Sequence, residues 1–235
     1  MDAQSLGVAV DRSNSVFVTG FWGGDCATIK YSSEGMPEWT NYYCGSANGS
    51  DRGYAVATDS DGNAIVTGWS GDSAGNGDYV TIKYSGNGTA IWTNYYGGTA
   101  DDYALKVATD RDGNVIVSGH SWGGMSADDF ATIKYAADGL PLWTNRWSRW
   151  SGYSSDQTRA LALDSHGNVF ITGMTADGYT TIEYSGSGTP LWTNRYNGPA
   201  NGYGSPGGKQ SLALSPDGSA YVTGSLSAGS GRSTS

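Results

Sequence analysis

The chain has 235 residues, 37 glycines and a formal net charge of −9. This acidic balance argues against a nucleic-acid partner, because phosphate binding requires clustered Lys and Arg. No stretch of the sequence approaches the roughly 20 apolar residues that span a bilayer, and residues 1–4 do not begin a signal peptide. We therefore expect no membrane insertion, and we interpret the charge as a solvated acidic surface.

A short motif that ends in Tyr occurs four times and organises the whole chain. The four copies begin at Thr28, Thr81, Thr132 and Thr181. Successive copies start 53, 51 and 49 residues apart. Eight residues after each terminal Tyr comes a Trp: Trp39, Trp92, Trp143 and Trp192. A period of this length is typical of propellers and solenoid arrays.

Each repeat predicts four short β-strands, which we name A to D in chain order. In the second repeat they cover residues 54–58, 63–67, 79–84 and 90–95. The A–B connection, Asp-Ser-Asp-Gly-Asn at 59–63, predicts a tight turn with a positive-φ glycine and Asp side chains bonded to nearby N–H groups. The motif also weakly resembles a calcium loop, but the glycine spacing differs and no Glu follows. We expect no cofactor and no metal, with calcium as the weaker alternative.

The B–C and D–A connections are long and differ between repeats, whereas the A–B and C–D turns are short and regular. In an up-and-down antiparallel sheet, the two variable connections emerge at the same end of the strands. We call this end the variable-loop face. Loops that vary on a repeated scaffold commonly carry function, so the ligand-binding site is predicted there.

The repeats predict an all-β fold, a single β-propeller domain over residues 1–224 with four-stranded antiparallel blades. The repeats cover approximately 5–53, 54–103, 104–158 and 159–209, with a partial fifth at 210–224 and a disordered Ser/Gly-rich tail at 225–235. Ring closure would make it five-bladed with an incomplete last blade, because an open array leaves sheet edges exposed. The alternatives are a fragment of a larger propeller, or association with a partner that completes the fifth blade.

The segment 78–88, Trp92 and the Asp-Gly-Asn-Ala-Ile-Val-Thr-Gly stretch at 61–68 resemble a bacterial β-propeller repeat family known as SBBP. The resemblance extends over nearly the whole chain. It implies an exported or surface-associated protein, so we expect an extracellular or cell-surface location. It implies no general catalytic role for the repeats.

The two cysteines occupy the C–D hairpin of the first repeat. Cys26 opens strand C and Cys44 follows strand D. If the turn is centred at Gly35, the two thiols oppose each other across neighbouring strands, which predicts a disulfide. Two buried thiols are the alternative. A zinc site is not predicted, because no His or further Cys accompanies the pair.

Aromatic and cationic side chains on the variable-loop face are the predicted ligand-binding residues. A loop Trp offers a flat apolar surface and one N–H donor, which suits a sugar ring or a protein partner. The alternative is that these indoles fill gaps between blades, as we expect for the four Trp residues that recur in strand register. The candidates are Trp22, Trp69, Trp122, Trp147, Trp150, Arg146 and Arg195.

Asp residues on the same face leave catalysis open. Paired carboxylates can hydrolyse glycosides, and the candidates are Asp102 and Asp129, although Asp129 recurs at a fixed offset that favours a structural role. The two histidines, His120 and His166, do not form a recognisable triad. The sequence therefore predicts a noncatalytic binding module for a glycan or protein partner. The alternatives are a propeller hydrolase of glycosidase or esterase type, and a structural spacer in a larger surface protein.

Overall fold

The computed structural model describes residues 2–45, 49–73, 75–124, 128–148, 156–175, 178–197, 204–205 and 212–226. Within these ranges, all regular secondary structure is β-strand. The first two sheets contain β1 (Ala3–Val10), β2 (Val16–Trp22), β3 (Asp25–Tyr31), β4 (Pro37–Tyr43), β5 (Asp51–Thr58), β6 (Ala64–Gly71), β7 (Gly77–Tyr84) and β8 (Ala90–Tyr96). The next two contain β9 (Asp102–Thr109), β10 (Val115–Trp122), β11 (Asp128–Tyr135), β12 (Pro141–Trp147), β13 (Gln157–Leu163), β14 (Val169–Thr175), β15 (Gly178–Tyr184) and β16 (Pro190–Tyr196).

Each of these four sheets joins consecutive strands in chain order, with antiparallel pairing, as in β5–β6–β7–β8. The predicted all-β architecture with four-stranded antiparallel propeller blades is confirmed. No helix in the described ranges has the length and hydropathy needed to cross a membrane.

Two small two-stranded sheets lie in and around the partial fifth repeat. Its predicted strands A and B are β18 (Leu212–Leu214) and β19 (Ala220–Val222), which pair with each other. Two further strands, β17 (Gly204–Ser205) and β20 (Ser225–Leu226), also pair. The first two residues of the predicted tail are thus strand residues, while 227–235 lie outside the described ranges.

Two compact units divide the chain. The first contains residues 1–122 and 131–146, and the second contains residues 123–130 and 147–235. In the first unit, the middle sheet is covered on both faces, so Ile65 and Val66 are both buried although they point to opposite sides of β6. This explains why strand B reads as a continuous apolar run rather than an alternating one.

In each of the four-stranded sheets, strand A carries a bulge opposite the glycine that follows the apolar run of strand B. In the second sheet the register shifts between Gly53 and Ala55, opposite Gly68. A Cβ at Gly68 would lie 1.8 Å from the carbonyl oxygen of Arg52, so any larger residue would displace backbone. The recurring glycine is therefore a requirement of close strand contact.

The A–B turns have the predicted Asp chemistry. Oδ1 of Asp59 accepts the N–H groups of Asp61 and Asn63 at 3.0 and 2.9 Å, and Gly62 has a φ of 77°. Asp11, Asp110 and Asp164 accept equivalent bonds in the other repeats. These contacts match the turn interpretation of the motif.

Three side chains of a repeat hold the C–D turn of the next repeat: the Lys before the final Tyr of the motif, the recurring Trp, and the Asn two residues after that Trp. Lys83 Nζ and Trp92 Nε1 each donate to the Ala137 carbonyl at 3.1 Å, and Asn94 Nδ2 donates to the Gly139 carbonyl at 2.7 Å. We call this arrangement the turn clasp. The first repeat forms the same clasp on the second, with Asn41 Nδ2 2.7 Å from the Gly88 carbonyl oxygen. The expectation that the recurring Trp residues pack the blades is met for Trp92.

The prediction of a disulfide between Cys26 and Cys44 is wrong. Cys26 and Cys44 are not joined, and Cys26 pairs across the hairpin with Tyr43. The C–D turn is centred on Glu34 and not on Gly35, since the Ser32 N–H donates to the Met36 carbonyl and Tyr31 pairs with Pro37. Even after the register shift between Lys30 and Tyr31, Cys26 therefore opposes Tyr43 instead of Cys44. Cys26 is buried in the core, and burial raises the pKa of its thiol to about 12.

Candidate functional site

The predicted loop tryptophans lie in strands, which corrects their assignment to the variable loops. Trp22 and Trp122 end their strands, Trp69 lies inside β6, and Trp147 ends β12. The hairpins continue further than the Val-Thr-Gly motif suggests, since Ser70 still pairs with Asp78. Trp150 lies outside the described residues.

Five flat side chains form a row across the first three sheets at the variable-loop end of their strands. We call Phe21, Arg52, Trp69, Tyr103 and His120 the stacked row. The Arg52 guanidinium carbon lies 5.1 Å from the centre of the Phe21 ring, and Arg52 pairs with Trp69 across strands. The rings of Trp69 and Tyr103 stack at 6.2 Å and 11°, and Tyr103 and His120 at 5.0 Å and 29°.

Asp101 holds the middle of the stacked row. Its Oδ1 accepts Trp69 Nε1–H at 3.1 Å and the Gly77 N–H at 2.9 Å. Burial and the neighbouring charge of Asp101 raise the pKa of Tyr103 to about 12, so its hydroxyl is a neutral donor at physiological pH. The row is thus a half-buried surface that combines aromatic rings with one carboxylate and one guanidinium.

Other predicted binding residues have different surroundings. Trp22 is 53% exposed and lines a shallow cavity of about 180 Å³ beside Phe21. Trp122 is 36% exposed. Trp147 stacks on Phe130 with ring centres 5.5 Å apart, which is the packing role considered as its alternative.

The two predicted arginines also differ. The Arg146 guanidinium donates to the Ser121 hydroxyl at 2.8 Å and to the Ser121 carbonyl at 3.0 Å, so it secures strand β10. In the second unit, Arg195 lines a cavity of about 240 Å³ together with Tyr179, Trp192 and Tyr196.

The two candidate catalytic residues belong to different units of the chain. Asp102, in the first unit, is buried and accepts the N–H groups of Gly98 and Trp122 at 3.0 and 2.8 Å. Asp129 belongs to the second unit, where its carboxylate lies close to Gly123. The contacts of Asp102 give it a structural role in holding the D–A connection.

A carboxylate pair that sequence reasoning did not single out lies beside Gly97. An added Cβ at Gly97 would be 2.1 Å from Asp78 Oδ1 and 2.6 Å from Asp102 Oδ2. Burial and the charge of Asp102 raise the pKa of Asp78. A related pair in the first repeat, Asp25 and Asp51, groups with Cys44 as a set of potential metal ligands.

Sequence reasoning also missed Phe21 and Tyr103 as members of the row. The sequence does contain one indication of the row: Phe21, Trp69 and His120 each directly follow the glycine of strand B in successive repeats. Tyr103 could not be placed, because the bulge in strand A changes which residues share a face.

No known protein family and no curated protein matches the sequence. Among solved structures, the chain is similar to a protein of unknown function from Bacteroides caccae, with a TM-score of 0.54 and 12% identity over 83% of this chain. It also matches a subtype N11 neuraminidase-like protein of A/flat-faced bat/Peru/033/2010 (H18N11), with a TM-score of 0.48 and 12% identity over 83% of this chain. A periplasmic gluconolactonase from Pseudomonas aeruginosa has a TM-score of 0.43 and 11% identity, covering 95% of this chain and 86% of that protein. The chain spans 62% and 54% of the lengths of the first two proteins.

Proposed function

We propose that this chain is a noncatalytic, extracellular propeller module that binds a carbohydrate through the stacked row. The observation that carries the proposal is the alignment of Arg52, Trp69, Tyr103 and His120 at one end of adjacent strands. Aromatic surfaces pack against the C–H faces of sugar rings, and carboxylate and guanidinium groups bind their hydroxyls. The anchoring of Trp69 by Asp101 supports preorganised binding, which lowers the entropic cost of recognition.

A glycan array tests this proposal directly. We expect Tyr103→Ala and Arg52→Ala to weaken binding to the recognised glycan, with Trp69→Phe giving a smaller loss because it keeps a flat ring but loses the N–H bonded to Asp101. Tyr42→Ala is the matched control, since Tyr42 is an aromatic residue 57% exposed on β4 and outside the row.

The proposal fails if glycan binding is unchanged in both Tyr103→Ala and Arg52→Ala while the thermal midpoints match the parent. Binding to a protein partner but to no glycan would mean that the stacked row recognises a protein. A large drop in thermal midpoint for Trp69→Phe and Tyr103→Ala together would support a packing role instead.

A hydrolase remains the second candidate because Asp78 and Asp102 form a carboxylate pair in which the pKa of Asp78 is raised. Such a pair suits acid–base hydrolysis of a glycoside. Chromogenic glycosides and esters would reveal the activity, and Asp78→Asn should abolish it. Activity that persists in Asp78→Asn would exclude this pair as the catalytic groups.

A further inference from the structure

Three metal-ligating side chains converge outside the stacked row, in the first unit. Asp25 begins β3, Cys44 directly follows β4 and Asp51 begins β5. One ligand atom from each lies within 4.8 Å of the other two. The sheet pairing brings these residues together from separate parts of the chain.

Asp51 has a buried oxygen that lacks a hydrogen-bond donor. The residue is 0% exposed, and its Oδ2 accepts the Gly45 N–H at 2.8 Å. Oδ1 of the same carboxylate has no partner at hydrogen-bond geometry, although the Ser70 hydroxyl lies beside the carboxylate. A buried carboxylate oxygen without a partner is costly, and native proteins normally satisfy it with a donor, a water or an ion.

The second repeat satisfies the corresponding oxygen. Asp102 occupies the position of Asp51, and it accepts the N–H of Gly98 through Oδ2 and that of Trp122 through Oδ1. At the Asp51 site, the N–H that corresponds to that of Trp122 belongs to Gly71, and it donates to the Ser50 carbonyl instead. The orphaned oxygen is therefore a feature of the Asp51 site and not of the repeat in general.

Cys44 makes a further difference between the two repeats. Its counterpart in the second repeat is Gly97, which lies beside the equivalent carboxylate pair, Asp78 and Asp102. The first repeat thus adds a thiol to a pair of carboxylates that the second repeat has without one. A thiol beside two carboxylates makes a metal-binding donor set.

We propose that Asp25, Cys44 and Asp51 bind a divalent transition metal of the zinc type, with water completing the coordination. A thiolate favours Zn²⁺ over Ca²⁺ and Mg²⁺, which take oxygen ligands. Zinc bonds of about 2.0–2.3 Å place tetrahedral ligand atoms roughly 3.5 Å apart. Cys44 is exposed, so its side chain can turn to close the remaining distance. Binding would release the thiol proton and provide Asp51 Oδ1 with a partner.

The test uses the whole reduced chain and Zn²⁺ in competition with a chromophoric chelator, together with Co²⁺ as a spectroscopic probe. We expect one equivalent of Zn²⁺ to bind, and Co²⁺ to give a thiolate-to-cobalt charge-transfer band. Cys44→Ser should remove the band, and both Cys44→Ser and Asp51→Asn should weaken Zn²⁺ binding by at least about 10-fold, since even a change to a residue that orients a ligand costs on the order of 10–100-fold.

The matched control is Asp78→Asn, which removes the counterpart of Asp25 in the second repeat and should leave stoichiometry, affinity and the band unchanged. Bound Zn²⁺ should also slow the alkylation of Cys44 by iodoacetamide, a readout that does not depend on a variant. The proposal is overturned if the parent chain binds no Zn²⁺, or if the affinity is the same in Cys44→Ser and Asp51→Asn as in the parent.

Discussion

Lys83 and Asp59 form a buried ion pair inside the second repeat. Their charged atoms lie 2.9 Å apart, and the two side chains are only 6% and 2% exposed. Lys134 and Asp110 repeat this pair in the third repeat, also at 2.9 Å. In the first repeat, Lys30 pairs instead with Glu38, whose side chain is 41% exposed. The Lys of the repeated motif therefore has a buried carboxylate partner in two repeats and a partly exposed one in the first.

This contrast predicts unequal costs of removing the ammonium group. Lys83→Met leaves Asp59 as an uncompensated buried charge and should lower the free energy of unfolding by about 3–5 kcal/mol. Lys30→Met loses the hydrogen bond to the Gly86 carbonyl and the ion pair with Glu38. Loss of the ion pair should add no more than about 1 kcal/mol to the cost, because Glu38 is solvated. Both variants lose one bond to a C–D turn, so denaturant unfolding of the two isolates the effect of the carboxylate. Equal losses would contradict the assignment.

The carboxyl groups of Asp59 and Asp78 have opposite pKa shifts, which predicts opposite pH dependences. Burial raises the pKa of Asp59, but hydrogen bonds from Asn63 and Lys83 outweigh it and the pKa is lowered overall. Burial and Asp102 raise the pKa of Asp78. Stability from Asp59 is present above its unfolded pKa of about 3.9 and is lost as the pH falls through the lower folded value. For Asp78, stability is lost as the pH rises through the folded value.

Denaturation midpoints measured between pH 3 and pH 7 test these opposite pH dependences. The destabilisation caused by Asp59→Asn should be largest at pH 7 and should shrink as the pH falls below about 4. Asp78→Asn should be more favourable, relative to the parent chain, at pH 7 than at pH 4. Parallel curves for a variant and the parent would show that the corresponding carboxyl group has the same pKa in both states.

At the scale of the strand, the turn clasp explains why the Trp-Thr-Asn sequence recurs. Asn94 on β8 donates to the Gly139 carbonyl at 2.7 Å, and Trp92 on the same strand donates to the Ala137 carbonyl at 3.1 Å. Their neighbour Ile91 is exposed. Outer strands thus hold the next repeat through side-chain hydrogen bonds together with the packing of Trp92 on its core, while the inner strands contribute most of that core.

The clasp predicts different roles for two equivalent asparagines. Asn94→Ala removes the donor to the partly buried Gly139 carbonyl and should cost about 1–3 kcal/mol. Asn194, its counterpart on β16, is exposed and lines a cavity, so Asn194→Ala should change stability by no more than about 0.5 kcal/mol. Thermal unfolding of the two variants measures the difference. A cost for Asn194→Ala equal to that of Asn94→Ala would refute the clasp as the stabilising contact.

Local rules were enough to predict the strands and turns. The glycine of the A–B turn at Gly62 meets a backbone requirement that acts within one repeat. The disulfide was predicted wrongly because the C–D turn is centred one residue before Gly35 and the register then shifts at Lys30, and the composition of the hairpin reveals neither. The stacked row was missed for a related reason, since Tyr103 meets Trp69 only through the pairing of neighbouring repeats.

At the scale of the whole molecule, the net charge of −9 acts against the local contacts. Repulsion among surface carboxylates is long-ranged and is screened by salt, with a Debye length of about 10 Å at 0.1 M. Buried pairs such as Lys83 and Asp59 are shielded from solvent and are screened much less. Salt should therefore weaken the repulsion among surface carboxylates more than the attraction within buried ion pairs.

This balance predicts that sodium chloride stabilises the protein at pH 7. We expect the thermal midpoint to rise between about 0.01 and 0.5 M salt, over which the Debye length shortens from about 30 Å to below 8 Å. Near pH 4.4, the isoelectric point calculated from the sequence, the net charge vanishes and the rise should disappear. Potassium chloride serves as the control for specific binding of sodium. A midpoint that falls with salt at pH 7 would mean that attractive surface pairs outweigh the repulsion, because screening weakens both in proportion to their exposure.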